Sequence, residues 1–223
     1  MPKKFHRMET LPPGVKDLPY PQPWEFIYEN FFKQSFNGFY VDIGAHDGIT
    51  YSNTAYFDLN LGWNGICIEP LIKPYEKLIN NRNAKTYNLA ISEKEGYQKF
   101  YTIDGYSEML SGLVNNYDSS HKKRIKKEIK KYGGSKTKSK MQTQRLDQIL
   151  DKNQISNVDY LSIDTEGSEL DILNSIDFEK VKFKIISLED HHTDKVNKLL
   201  IGKNFKFVKK IASDLIYINN SSL

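Results

Sequence analysis

The 223-residue sequence predicts an α/β fold on a mostly parallel sheet, and three observations predict it. Short runs rich in β-branched and aromatic residues alternate with helical patterns, as βαβ units require. One such run, FYVDI, ends on Asp42 and breaks at once into a turn holding Gly44 and Gly48. The last two runs, FKFVKKI and DLIYIN, follow each other with no helix between them, which predicts an antiparallel hairpin at one edge. Apolar residues make up 39% of the chain and charged residues 27%, so it can bury one substantial core.

Five of the eight prolines fall between Pro12 and Pro23, so residues 1–24 are expected to form an extended arm ahead of a single domain, 25–223. WEFIYENFFKQ then spaces Phe26, Ile27 and Phe31 as an amphipathic helix. Strand and helix alternate next: FYVDI, then SNTAYFDLNL; GICIE, then IKPYEKLINN; KTYNLAI. A strand and loop (GYQKFYTIDGYSEMLSGLVNNY), a basic helical insertion at about 114–140, and a strand entering a short helix (SKMQTQRLDQILDKN) interrupt the pattern. It resumes with VDYLSI, SELDILNSI, KIISLE and DKVNKLLIG.

One cysteine, Cys67, excludes an internal disulfide framework, and it reads as a small core residue. The first residues hold no apolar run of signal-peptide length and no segment is long enough to span a bilayer, so a cytoplasmic setting without a membrane partner is expected. The net charge of +4 conceals an asymmetry. Residues 121–140 hold ten Lys or Arg against Glu128, a local +9 that leaves −5 elsewhere. Such a field attracts phosphates, and a solvated helix face explains it equally well.

In an open parallel sheet, ligands sit at the carboxyl ends of the strands. Asp42, Gly44, His46 and Gly48 occupy such a turn, and Glu69 closes the second strand 21 residues after Gly48, where a carboxylate can accept hydrogen bonds from a ribose diol. An adenosine cofactor is expected. His46 stands where a dinucleotide fingerprint needs its middle glycine, and Asp42 would repel a pyrophosphate but attract an α-amino group. S-adenosylmethionine is therefore favoured over NAD.

VDIGAHDGITYSNTAYFDLNLGWNGICIEP, VDYLSIDTEGSELDIL and ISLED together resemble the FkbM-type family of S-adenosylmethionine-dependent methyltransferases, from about Phe39 to Asn219. The resemblance implies a class I methyltransferase fold: a Rossmann-like, seven-stranded, mostly parallel sheet with helices on both faces and the last strand antiparallel. It also implies O-methylation. By position, Asp42, Gly44 and Gly48 would hold the methionine part of the cofactor, Glu69 the ribose, and the turn at Asn88, Ala90 and Ile91 the adenine.

A hydroxyl acceptor needs a positioned base, and Asp164, Glu166 and Glu189 at strand ends are the catalytic candidates. A helix cap is the duller role for Glu166. His191, Lys122, Lys123 and Arg124 are the substrate-binding candidates for a sugar, glycan or related small acceptor, phosphorylated or not. Magnesium held by Asp164 with Glu189 or Asp190 ranks below metal-free catalysis. The alternatives are an RNA methyltransferase, against which Tyr132 stands as the only aromatic in the basic run, a phosphate-binding module without catalysis, and an NAD-dependent oxidoreductase.

Overall fold

A computed structural model describes residues 22–33, 35, 37–189 and 193–222. The proline-rich arm therefore lies outside the described residues up to position 21. Pro23 and Trp24 already belong to the first helix, α1 (Pro23–Ile27), which continues as a π-helical turn over Tyr28–Phe32.

Among the described residues, seven strands form the main sheet: β1 (Phe39–Ile43), β2 (Asn64–Ile68), β3 (Lys85–Tyr87), β8 (Asn157–Ile163), β9 (Lys182–Glu189), β10 (Phe205–Ile211) and β11 (Asp214–Asn219), in the order β10-β11-β9-β8-β1-β2-β3. Pairs from β3 through β9 are parallel, while β11 is antiparallel to both neighbours. The terminal hairpin thus does not simply close an edge. Its last strand inserts between β9 and β10, which leaves β10 outermost.

Alternation along β1 explains why helices cover both faces. Val41 and Ile43 pack with Leu146, Leu150, Ile172 and Leu200 from α5 (Leu146–Lys152), α6 (Glu169–Asn174) and α7 (Thr193–Gly202). Tyr40 turns the opposite way, into a cluster with Trp24, Ile27, Phe57 and Leu78 from α1, α2 (Ala55–Leu59) and α3 (Ile72–Asn81). Asp42 shares its parity with Tyr40 and so is directed toward the α2 and α3 side.

A second, four-stranded sheet was not legible as a unit: β4 (Ala90–Ile91), β5 (Gly96–Asp104), β6 (Gly112–Leu113) and β7 (Ser135–Gln144), in the order β4-β7-β5-β6. KTYNLAI is consequently two strands in two sheets. The basic run is also divided, its first part in α4 (Ser119–Tyr132) and its last lysines on β7. Asp118 caps α4 by accepting a hydrogen bond from the His121 amide at 2.7 Å. The helix is anchored where Ile125 packs with Ile103, Leu110 and Tyr117.

Leu161 lies fully buried in central β8. Leu161→Ala should lower unfolding stability in urea by about 2–5 kcal/mol, the usual cost of a core cavity. A loss under about 1 kcal/mol would contradict this placement of the core.

Candidate active site

A cavity of about 260 Å³ opens at the carboxyl ends of β1, β2, β8 and β9. Its sheet side is lined by Asp42, Gly44, Glu69, Asp164, Glu166 and Glu189, and the opposite wall by Leu89, Ala90, Ile91, Phe100, Glu108 and Leu113 from the second sheet and its connections. One end is therefore acidic and the other apolar.

The turn after β1 is held by backbone. The Gly44 and Ala45 amides both donate to the Ile68 carbonyl, at 3.0 and 3.1 Å. Gly44 has φ +88°, and a Cβ there would sit 1.8 Å from the Asp164 carbonyl oxygen, so no side chain fits where the β1 and β8 turns meet. Gly48, at φ +83°, lies instead against Arg82 and Leu78 of the α3 end. The close packing its glycine permits is onto α3, which follows β2.

Glu69 ties two loops together before any ligand arrives. Its Oε2 accepts from the His46 amide at 2.9 Å and its Oε1 from the Leu71 amide at 2.7 Å. Burial lifts its carboxyl to about 7 in spite of those bonds. Each oxygen retains a further lone pair, so a diol on the cavity side can still donate to it. The His46 ring lies 3.3 Å from Glu108 Oε1, linking the turn to the opposite wall, and its pKa is raised chiefly by Asp47, with Glu108 adding to the effect.

Beneath the turn lies a cation that the motifs do not announce. Arg82, fully buried, donates from Nε to Asp58 at 2.8 Å, from Nη1 to the Gly48 carbonyl at 3.0 Å and Ser52 at 3.2 Å, and from Nη2 to Thr54 at 2.8 Å. Tyr40 donates to the same Asp58 at 2.6 Å and places its ring under the guanidinium. Asp42 accepts a short hydrogen bond from Thr54 and lies 3.8 Å from Arg82 Nη1. Burial raises its pKa, while Arg82 and Thr54 oppose the rise.

The acidic end gathers Asp164, Glu166, Glu189 and, from β11, Asp214. Asp164 lines the cavity and is exposed there. Burial and then the charges of Glu189 and Asp214 hold its carboxyl well above the ordinary range. Burial and Glu189 push Glu166 to about 8 against the pull of Arg124, and push Asp214 to about 7. Glu166 sits at φ +54°. Glu169 steadies that loop by accepting from the Gly167 amide at 2.9 Å and from Thr165 at 3.2 Å. From α4, Arg124 donates to Glu166 at 3.3 Å and the His121 ring lies 3.9 Å from it. The insertion thus reaches the site through His121 and Arg124.

Of the residues singled out by sequence, Asp42, Gly44, His46, Glu69, Ala90, Ile91, Asp164, Glu166 and Glu189 line one cavity. Gly48 and Asn88 do not line it; the Asn88 amide braces the loop after β2 by donating to the Glu69 and Pro70 carbonyls. Lys122 and Lys123 face solvent away from it. Asp190 and His191 fall outside the described residues. Among the described residues, no group of three or more His, Cys, Asp or Glu side chains is arranged to hold a metal ion, so the magnesium alternative gains no support. Ser111, at the cavity wall, is bonded to the Glu108 carbonyl and the Ile103 amide, which is turn chemistry. Cys67 is buried and its thiol is pushed up to about 12, as suits a core residue.

The strand order, the inserted antiparallel β11 and a ligand-sized cavity at the strand ends define a Rossmann-like, methyltransferase-type fold. The family profile for the methyltransferase FkbM domain matches residues 42–211, and the chain belongs to that family. Among solved structures, the methyltransferase FkbM from Methylobacillus flagellatus KT superposes with a TM-score of 0.52 at 14% identity, over 89% of this chain and 48% of that one. This chain therefore spans about half the length of that protein. The ribosomal protein L11 methylase from Lactobacillus delbrueckii subsp. bulgaricus gives 0.42 at 9% identity, over 87% and 74% of the two chains. The precorrin-6y C5,15-methyltransferase from Geobacter metallireducens GS-15 gives 0.39 at 10%, over 82% and 78%. No curated protein sequence matches significantly.

Two measurements check this site. Arg82→Met leaves Asp58 buried without its cation and should cost about 3–5 kcal/mol of unfolding stability in urea; a cost near zero would mean the network is dispensable. The raised carboxyls have a second consequence. Between their ordinary unfolded values and the folded values of about 7 for Glu69 and Asp214 and about 8 for Glu166, the folded state binds more protons than the unfolded chain. The melting temperature should therefore fall as pH rises from about 5 to about 8, and fall less in Glu166→Gln. A level or rising profile would contradict the crowding of these acids.

Proposed function

We propose that the chain is an S-adenosylmethionine-dependent O-methyltransferase acting on a hydroxyl of a sugar, glycan or related small acceptor. The observation that carries the proposal is the division of one cavity into an apolar slot and an acidic end, with Glu69 between them at the tip of β2. The slot of Leu89, Ala90, Ile91 and Phe100 suits an adenine ring, Glu69 suits a ribose diol, and the Asp42 side of the turn suits a cationic amino group. When bound, the donor supplies an activated methyl group.

The chain's own residues then have three tasks. The two walls align the acceptor oxygen and exclude water, which accounts for much of the rate of an in-line displacement. Glu166, with its carboxyl near 8, is poised close to working pH to take the hydroxyl proton onto a carboxylate oxygen. Burial and then Glu189 keep that carboxyl basic, and Arg124 and His121 hold it in place. The proposal includes a cytoplasmic setting. None of the helices among the described residues is long and apolar enough to cross a membrane.

Isothermal titration with S-adenosylhomocysteine, with NAD in parallel, tests this proposal. Micromolar binding of the first and none of the second is expected, with Glu69→Gln weakening it at least about tenfold, the cost of one charge-assisted hydrogen bond. A folded protein that ignores S-adenosylhomocysteine would overturn the proposal.

A further inference from the structure

The lysines of the insertion do not form a simple helix face; they form a surface shared by two elements. The β5 and β7 register places Lys99 opposite Lys140, Tyr101 opposite Lys138 and Ile103 opposite Lys136, and directly opposed residues share a sheet face. Ile103 on that face packs with Ile125, so α4 covers one end of it and Lys99, Lys138 and Lys140 continue it. Because α4 buries His121 and Ile125, its six lysines between Lys122 and Lys131 are left exposed. Among the described residues, none of these ten lysines forms an ion pair with a carboxylate. Glu128, the only acid within the run, is taken by Ser107 and Arg124.

Solvation of a helix accounts for lysines, but it does not account for what borders them. Tyr97, 72% exposed, stands two residues from Lys99 on the same face of β5. Tyr106, 73% exposed, packs its ring against Tyr132 at the end of α4, 4.3 Å between centroids. Within the basic run Tyr132 is the only aromatic; the fold brings Tyr106 beside it from the loop after β5, and Tyr97 stands at the far end of the same lysine-bearing face, opposite Gln142. Exposed rings interleaved with unpaired cations match a chain of phosphates bearing flat bases. A lipid surface would call for aliphatic or tryptophan wedges among the lysines, and the outward positions of α4 and β7 carry none.

We propose that this face binds single-stranded nucleic acid, with lysines of α4 and β7 on the phosphates and Tyr97, Tyr106 and Tyr132 as stacking platforms for bases. The proposal is independent of the methyl-transfer reading, since it concerns the outer side of α4 and needs no methyl donor.

Fluorescence anisotropy with a labelled 20-nucleotide oligouridine RNA tests it on the full chain without cofactor. Affinity should fall steeply with salt, with a log–log slope of about −3 or steeper if four or more phosphates are engaged. The pairs Lys126→Glu with Lys130→Glu, and Lys138→Glu with Lys140→Glu, should each weaken binding at least about tenfold. Tyr97→Ala with Tyr106→Ala should weaken it at least about fivefold with the salt slope unchanged. Reversal of Lys195 and Lys198, exposed on α7, should change it less than about twofold. Absence of RNA binding at about 50 mM salt would overturn the proposal. So would equal weakening by the α7 pair, or flotation with phosphatidylserine vesicles by a protein that leaves RNA unbound.

Discussion

The structure depends on a buried guanidinium. Arg82, at the end of α3, holds the Gly48 carbonyl, Ser52, Thr54 and Asp58, and so joins the turn after β1, the start of α2 and the end of α3 at one point. A cation so enclosed is tolerable only because carboxylates and carbonyls surround it, and the same enclosure fixes their positions. Asp42 is one of them. Its carboxylate is held by Thr54 and lies 3.8 Å from Arg82, so it stands fixed at the floor of the cavity that it helps to line.

From that fixed turn the rest of the site follows by strand geometry. Parallel strands deliver Asp42, Glu69, Asp164 and Glu189 to one end of the sheet, and the second sheet closes over them with an apolar wall. Carboxylates so crowded and so poorly solvated resist losing their protons together, hence the upward displacement of Asp164, Glu166 and Asp214. The insertion answers that crowding with Arg124 on its inner flank. Its lysines point outward, so one helix serves the cavity and the solvent surface with different residues.

The main sheet was largely legible in the sequence because its strands are apolar and short and their ends carry turn chemistry; FYVDI coincides with β1 residue for residue. The acids at 42, 69, 164, 166 and 189 were legible for the same reason, since position at a strand end decides what faces the cleft. The second sheet was not. β7 reads SKTKSKMQTQ, in which only Met141 and Thr143 turn inward, so no hydrophobic alternation marks the full strand. Arg82 sits in NNRNAK, which has the composition of an exposed loop, and its partners Asp58 and Gly48 lie 24 and 34 residues away. Pairing at that range leaves no local trace. Gly48 was legible as a turn residue, but its packing against Leu78 and Arg82 at the end of α3 was not.

The central claim is that one cavity holds the methyl donor with its adenosine toward the apolar wall and its reacting end toward the acids. A crystal structure with S-adenosylhomocysteine tests it most directly. The account predicts the ribose hydroxyls on Glu69, the adenine between Leu89, Ile91 and Phe100, and the thioether sulfur facing Asp164 and Glu166. Density for the ligand outside this cavity, or inside it with the ribose away from Glu69, would contradict the account.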